Sequence, residues 1–95
     1  MVEKLYPKST GVILSTISDI IELQKAKLTF SNTSKGIVNF QIQMYAYTWD
    51  VSFVVTRHDD KQSRVKLDIA GEHLGRDDMV LRELSLLDSM LSVAG

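Results

Sequence analysis

Apolar and polar residues change rhythm along this chain, and each change predicts an element. Val2 to Tyr6 reads as a short first strand. Pro7 ends it, because proline supplies no ladder donor and fixes its own φ. Ser9 or Thr10 can cap a helix by accepting bonds from orphan backbone N–H groups. Ile13, Ile17, Ile20, Ile21 and Gln24 then recur at helical spacing, with Val12 and Leu14 alongside and Ser18, Asp19 and Glu22 on the outer surface. Isoleucine is a middling helix former, so this helix needs a sheet to pack on. From Ala26 the period falls to two. Leu28 and Phe30 alternate with Lys27, Thr29 and Ser31, which predicts a half-buried strand. Residues 32–36, Asn-Thr-Ser-Lys-Gly, are turn chemistry.

The clearest alternation follows. Val38, Phe40, Ile42, Met44 and Ala46 point one way; Asn39, Gln41, Gln43, Tyr45 and Tyr47 point the other. That pattern predicts a strand with one face on a core and one on water. Thr48-Trp49-Asp50 is read as the turn that ends it. Val51, Phe53 and Val55 alternate with Ser52, Val54 and Thr56, and Val65, Leu67 and Ile69 with Arg64, Lys66 and Asp68, across a polar loop at 58–63. Glycines at 71 and 75 break the pattern. Asp77 or Asp78 can cap a last helix, where a carboxylate suits the positive end of the dipole. Its buried stripe is Val80, Leu84, Leu87 and Leu91, widened by Met79, Leu86, Met90 and Val93, with Arg82, Glu83, Asp88 and Ser89 toward solvent.

The predicted order is β-α-β-β-β-β-α. Hairpin-connected strands give an antiparallel sheet of four to five strands, and two helices should cover one of its faces, an α+β fold. The 95 residues suit one domain over 1–95. At 44% hydrophobic and 24% charged residues, the chain is too apolar for disorder. Eleven Lys and Arg against twelve Asp and Glu leave a net charge of -1, which argues against nucleic acid as a partner. There is no cysteine, so thiolate metal sites, disulfides and cysteine nucleophiles are excluded. The N-terminal residues carry no apolar run of the secretory kind, and the longest uninterrupted apolar run, Val12 to Leu14, is far too short to span a membrane. These features lead us to expect a cytoplasmic protein without membrane contact.

The layout resembles the β-α-β(4)-α arrangement shared by TATA-binding-protein-like (TBP-like) domains and the core of Bet v 1-like (START-type) ligand-binding folds. It is also similar to small uncharacterised bacterial domains of that layout. Tyr6-Pro7 before the first helix, Gly36-Ile37 opening the long strand, Trp49 at its turn, and residues 71–77 before a Leu-rich helix carry the likeness, which spans nearly the whole chain. Two departures stand out. The chain lacks the additional strands and helix turns that enclose a large cavity in Bet v 1-like proteins, and its charge balance is unlike a DNA-binding saddle.

Candidate chemistry is sparse. His58-Asp59-Asp60 could offer metal ligands, but consecutive residues rarely converge on one ion, and we read them as a solvated loop tip. Glu72, His73, Asp77 and Asp78 form a denser group, read as loop polarity and helix capping. No serine lies in a G-x-S-x-G context, and Gly71 and Gly75 have neither Walker nor dinucleotide spacing. We therefore expect no catalytic residues, no metal, no cofactor and no enzyme activity. The feature that stands apart is aromatic. Tyr45 and Tyr47, with Trp49 behind them, fall on the polar side of the long strand, and Val54, Arg64 and Lys66 share that face by parity. Interfaces are enriched in such aromatics. These six residues are the candidate interaction surface of a non-catalytic binding or assembly module, whose partner is a second copy of the chain or another protein. The alternative is a carrier holding a small apolar ligand or lipid in a pocket between helices and sheet.

Overall fold

The elements form in the predicted order: β1 (Val2–Tyr6), α1 (Thr10–Leu23), β2 (Lys27–Asn32), β3 (Ile37–Met44), β4 (Tyr47–Arg57), β5 (Ser63–Ala70) and α2 (Arg76–Ala94). The computed structural model describes residues 1–71 and 74–94. All pairings are antiparallel, in the strand order β1-β5-β4-β3-β2. Four strands make a meander in which each pairs with the next in sequence, and β1 returns to the free side of β5.

One parity of each inner strand is buried. Val38, Phe40 and Ile42 on β3, Trp49, Val51, Phe53 and Val55 on β4, and Val65, Leu67 and Ile69 on β5 form a single core with Ile13, Ile17 and Ile20 of α1 and Met79, Val80, Leu87 and Leu91 of α2. Both helices therefore lie on one face of the sheet, as the alternation predicts. The rings of Phe40 and Phe53 stack at 6.1 Å in its middle. These side chains lie buried between helices and sheet. Burying such large aliphatic and aromatic groups is worth about 1.5–3 kcal/mol each, which offsets the modest helix propensity of an isoleucine-rich α1.

Four local expectations need correction. The turn after β3 is Tyr45-Ala46, not Thr48-Trp49-Asp50: both residues take positive φ (56° and 65°), and Met44 pairs with Tyr47 across a two-residue hairpin turn of the primed type. Ala46 thus leaves the core face, and Trp49 lies within β4. The register of β2 slips between Leu28 and Phe30, so Leu28 opposes Phe40 on the core side while Phe30 opposes Asn39 on the other. Asp77 and Asp78 occupy the first turn of α2, and the position before the helix belongs to Gly75, whose carbonyl accepts from the Met79 N–H. Finally, Val93 is exposed while Glu83 is wholly buried, the reverse of their expected sides. At the other helix, Ser9 caps α1 as predicted, its hydroxyl accepting from the Val12 N–H.

Gly36 holds the turn between β2 and β3 against the middle of the sheet. Its φ is +71°, its carbonyl accepts from the Val55 N–H at 2.8 Å, and a Cβ there would fall 1.9 Å from the Val55 carbonyl oxygen. No other residue type fits that approach without moving β4.

Candidate functional site

The face of the sheet away from the helices is built by the other strand parity. One row across it runs Glu3, Lys66, Val54, Ile37 and Asn32; the next runs Asp68, Ser52, Asn39 and Phe30. Val54 and Ile37 are half-buried and Phe30 is 50% exposed, which gives a short apolar stripe across β2, β3 and β4. Arg64 pairs with Glu3 at 3.2 Å, and Asp68 with Arg76 at 3.1 Å. Gln41 donates to Asp50 at 2.8 Å. Within the stripe, the Asn39 Oδ1 is shielded from solvent and has no hydrogen-bond partner among the described residues.

Val54, Arg64 and Lys66 therefore do share the open face, as parity requires. The three aromatics do not join them. Trp49 is 0% exposed in the core, opposite Ile42, and its indole N–H donates to the Met44 carbonyl at 2.9 Å. Tyr47 follows the same parity as Trp49, on the helix side, and its ring meets the indole edge-on at 5.9 Å. Tyr45 projects from the hairpin tip, 66% exposed. The expected aromatic platform is divided because Tyr45 lies in the two-residue turn itself, while Tyr47 opens the next strand on the helix side. Phe30 takes the place they were expected to fill, moved there by the irregularity in β2.

Two carboxylates of α2, both expected to face solvent, are engaged instead. Asp88 accepts from the Tyr6 hydroxyl at 2.7 Å and from the Lys4 ammonium at 2.9 and 3.1 Å, with the same ammonium 5.1 Å from the Tyr6 ring centre. Burial pushes the Tyr6 phenol well above its ordinary range, and the hydrogen bond and charge of Asp88 push it the same way. Glu83 accepts from the Gln24 amide at 2.8 Å, while its Oε2 has no hydrogen-bond partner among the described residues. Burial raises its pKa, against the smaller lowering effects of the Gln24 hydrogen bond and the Arg82 charge. Neither engagement has a sequence signal, since Tyr6 and Asp88 are 82 positions apart and Gln24 and Glu83 are 59 apart.

The His58-Asp59-Asp60 loop is exposed, with Asp60 paired to Arg57 and Asp59 accepting from the Lys61 N–H. Glu72 and His73 lie outside the described residues; Asp77 and Asp78 are exposed. Among the described residues, no three His, Asp or Glu side chains gather where they could hold an ion. No helix among them is long and apolar enough to cross a membrane. Compared with known proteins, the chain matches no family model and no curated protein. Chemically, the open face offers an apolar stripe bordered by charges of both signs.

Proposed function

We propose that this protein is a non-catalytic binding or assembly module of the cytoplasm that docks a protein surface, in the first instance a second copy of itself, through its open sheet face. The observation that carries this reading is the Phe30–Ile37–Val54 stripe on a face that neither helix covers. Lys66 and Arg64 share that face with Asp68 and, farther along β4, Asp50, so the face carries both signs. Such a face can be complementary to itself about a two-fold axis. The packed interior weighs against the alternative, a carrier with a chamber between helices and sheet.

The test is sedimentation of the wild type and the double variant Phe30→Ser, Val54→Ser over a concentration series, beside thermal melts. Exposed-strand changes cost about 1 kcal/mol each, against about 3–5 kcal/mol for a core change such as Phe40→Ala. The variant should therefore stay folded and lose association that the wild type shows. Tyr45→Ser, at the hairpin tip, should leave association unchanged. A wild type that is monomeric at every concentration overturns self-association.

A further inference from the structure

The β3–β4 hairpin runs past both of its neighbours. β2 pairs with β3 only as far as Gln41, and β5 pairs with β4 only from Asp50. Residues 42–44 and 47–49 therefore project beyond the sheet. A pocket of about 260 Å³ lies where this projection meets the end of α1, the start of β2 and α2.

Its walls are cationic and rich in donors. Lys25 comes from the turn after α1, Lys27 from the first position of β2, and Arg82 from α2, with Gln24, Gln43 and Thr48 between them. Neither lysine has an acidic partner among the described residues. Arg82 has only a distant one, the Glu83 Oε2 at 3.9 Å. Three cations around one concavity focus a positive field and repel one another until an anion joins them.

Two further features concern how these cations are held. Lys25 has φ 54°, directly after the helix. Its N–H donates to the Glu22 carbonyl and the next N–H, of Ala26, to the Ile21 carbonyl, a helix ending that glycine usually supplies. A lysine there is strained relative to glycine, and strain of this kind collects at functional sites. Gln24 is oriented from behind. It donates to the buried Glu83 and so turns its amide oxygen to Arg82, whose Nε donates to it at 3.4 Å. Glu83 is thereby a positioning residue for the pocket wall.

We propose that this pocket binds a small molecule bearing two or more phosphate or carboxylate groups. Cations placed by three separate elements suit a ligand with more than one anionic group. The volume falls just under the roughly 300–1,000 Å³ of drug-sized sites, which sets the ligand at metabolite size.

Calorimetric titration with pyrophosphate and with citrate tests this, at about 0.15 M salt so that screening removes loose ion attraction. Saturable binding of at least one is expected, and the preferred probe tells phosphate from carboxylate recognition. Lys27→Gln and Arg82→Gln should each weaken it about ten-fold or more, as loss of a charged hydrogen bond does. Lys25→Gly should weaken it similarly while raising the melting temperature, because the strained φ is relieved. Lys35→Gln, at the far end of β3, changes net charge equally and should leave affinity unchanged. Absence of saturable heat from both probes overturns the proposal, and so does an equal loss in Lys35→Gln. A loss in Lys25→Gly accompanied by a lower melting temperature overturns the role given to Lys25.

Discussion

Helix α2 meets the rest of the molecule through two carboxylates that are treated in opposite ways. Asp88 is half-exposed and saturated: a phenol and an ammonium from β1 both donate to it. Glu83 is fully enclosed and undersupplied: the Gln24 amide, at the end of α1, donates to one oxygen, and among the described residues none donates to the other. Each ties α2 to another element, but only one tie suits a charge. Both Asp88 oxygens accept, one from Tyr6 and Lys4 and the other from Lys4. Burial disfavours the charged form of Glu83 and raises its pKa, against the smaller opposing effects of Gln24 and Arg82. A buried polar contact is therefore no measure of strength until both oxygens are accounted for.

The largest effect that would break this contrast is Asp88→Ala. It leaves the buried Tyr6 hydroxyl without an acceptor, at about 1–3 kcal/mol, and removes a surface ion pair worth at most about 1 kcal/mol. Denaturant unfolding should show a stability loss near the sum, and Asp88→Asn, which keeps an acceptor, should lose less. An unchanged midpoint for the alanine variant would mean that the contact does not secure β1.

Glu83 sharpens the contrast through pH. Its pKa is raised in the folded protein, so the fold holds the proton more tightly than the unfolded chain does. This contribution is complete below the ordinary glutamate range, near about 4.3. It is lost as pH rises through that range toward the folded value. Melts of wild type and Glu83→Gln across that window should diverge, the variant gaining on the wild type as pH increases. A constant difference would show that Glu83 is not the titrating group. Tyr6, whose pKa is also raised, acts in the same direction only in alkali, above about 10.

Lys4→Met should have the smallest effect. Both side chains of the Lys4–Asp88 pair are nearly half-exposed, so solvent screening leaves at most about 1 kcal/mol. The loss should shrink further in high salt. A salt-independent loss would instead point to the ammonium's contact with the Tyr6 ring.

Much of the fold could be read from the chain because the inner strands alternate strictly, and a half-buried strand leaves that mark. The turn after β3 could not. Tyr45 and Ala46 lack the glycine and asparagine that positive φ favours, and the even-numbered apolar positions of β3 overlap the odd-numbered ones of β4 across Met44 to Trp49. Trp49 consequently lies in the core, and the candidate surface keeps Val54, Arg64 and Lys66 without the aromatics. Phe30 was hidden for a related reason: one unpaired residue reverses the face of everything beyond it. Val54, Arg64 and Lys66 were legible because β4 and β5 pair without interruption from Asp50 to Arg57. Glu83 and Asp88 sit at spacings that a helix normally gives to solvent. Only the partners supplied by distant elements mark them as exceptions.

The strand order has a kinetic consequence. From β2 to β5 every pairing is with the next strand along, across short turns, and such contacts close cheaply. β1 reaches β5 from the other end of the chain, and the Lys4–Asp88 contact joins residues 84 positions apart. Closing that long loop is expected to follow formation of the meander. Contacts made late slow unfolding far more than they speed folding. The clasp between β1 and α2 thus governs how long a folded molecule lasts, while the rate at which it first forms belongs to the meander.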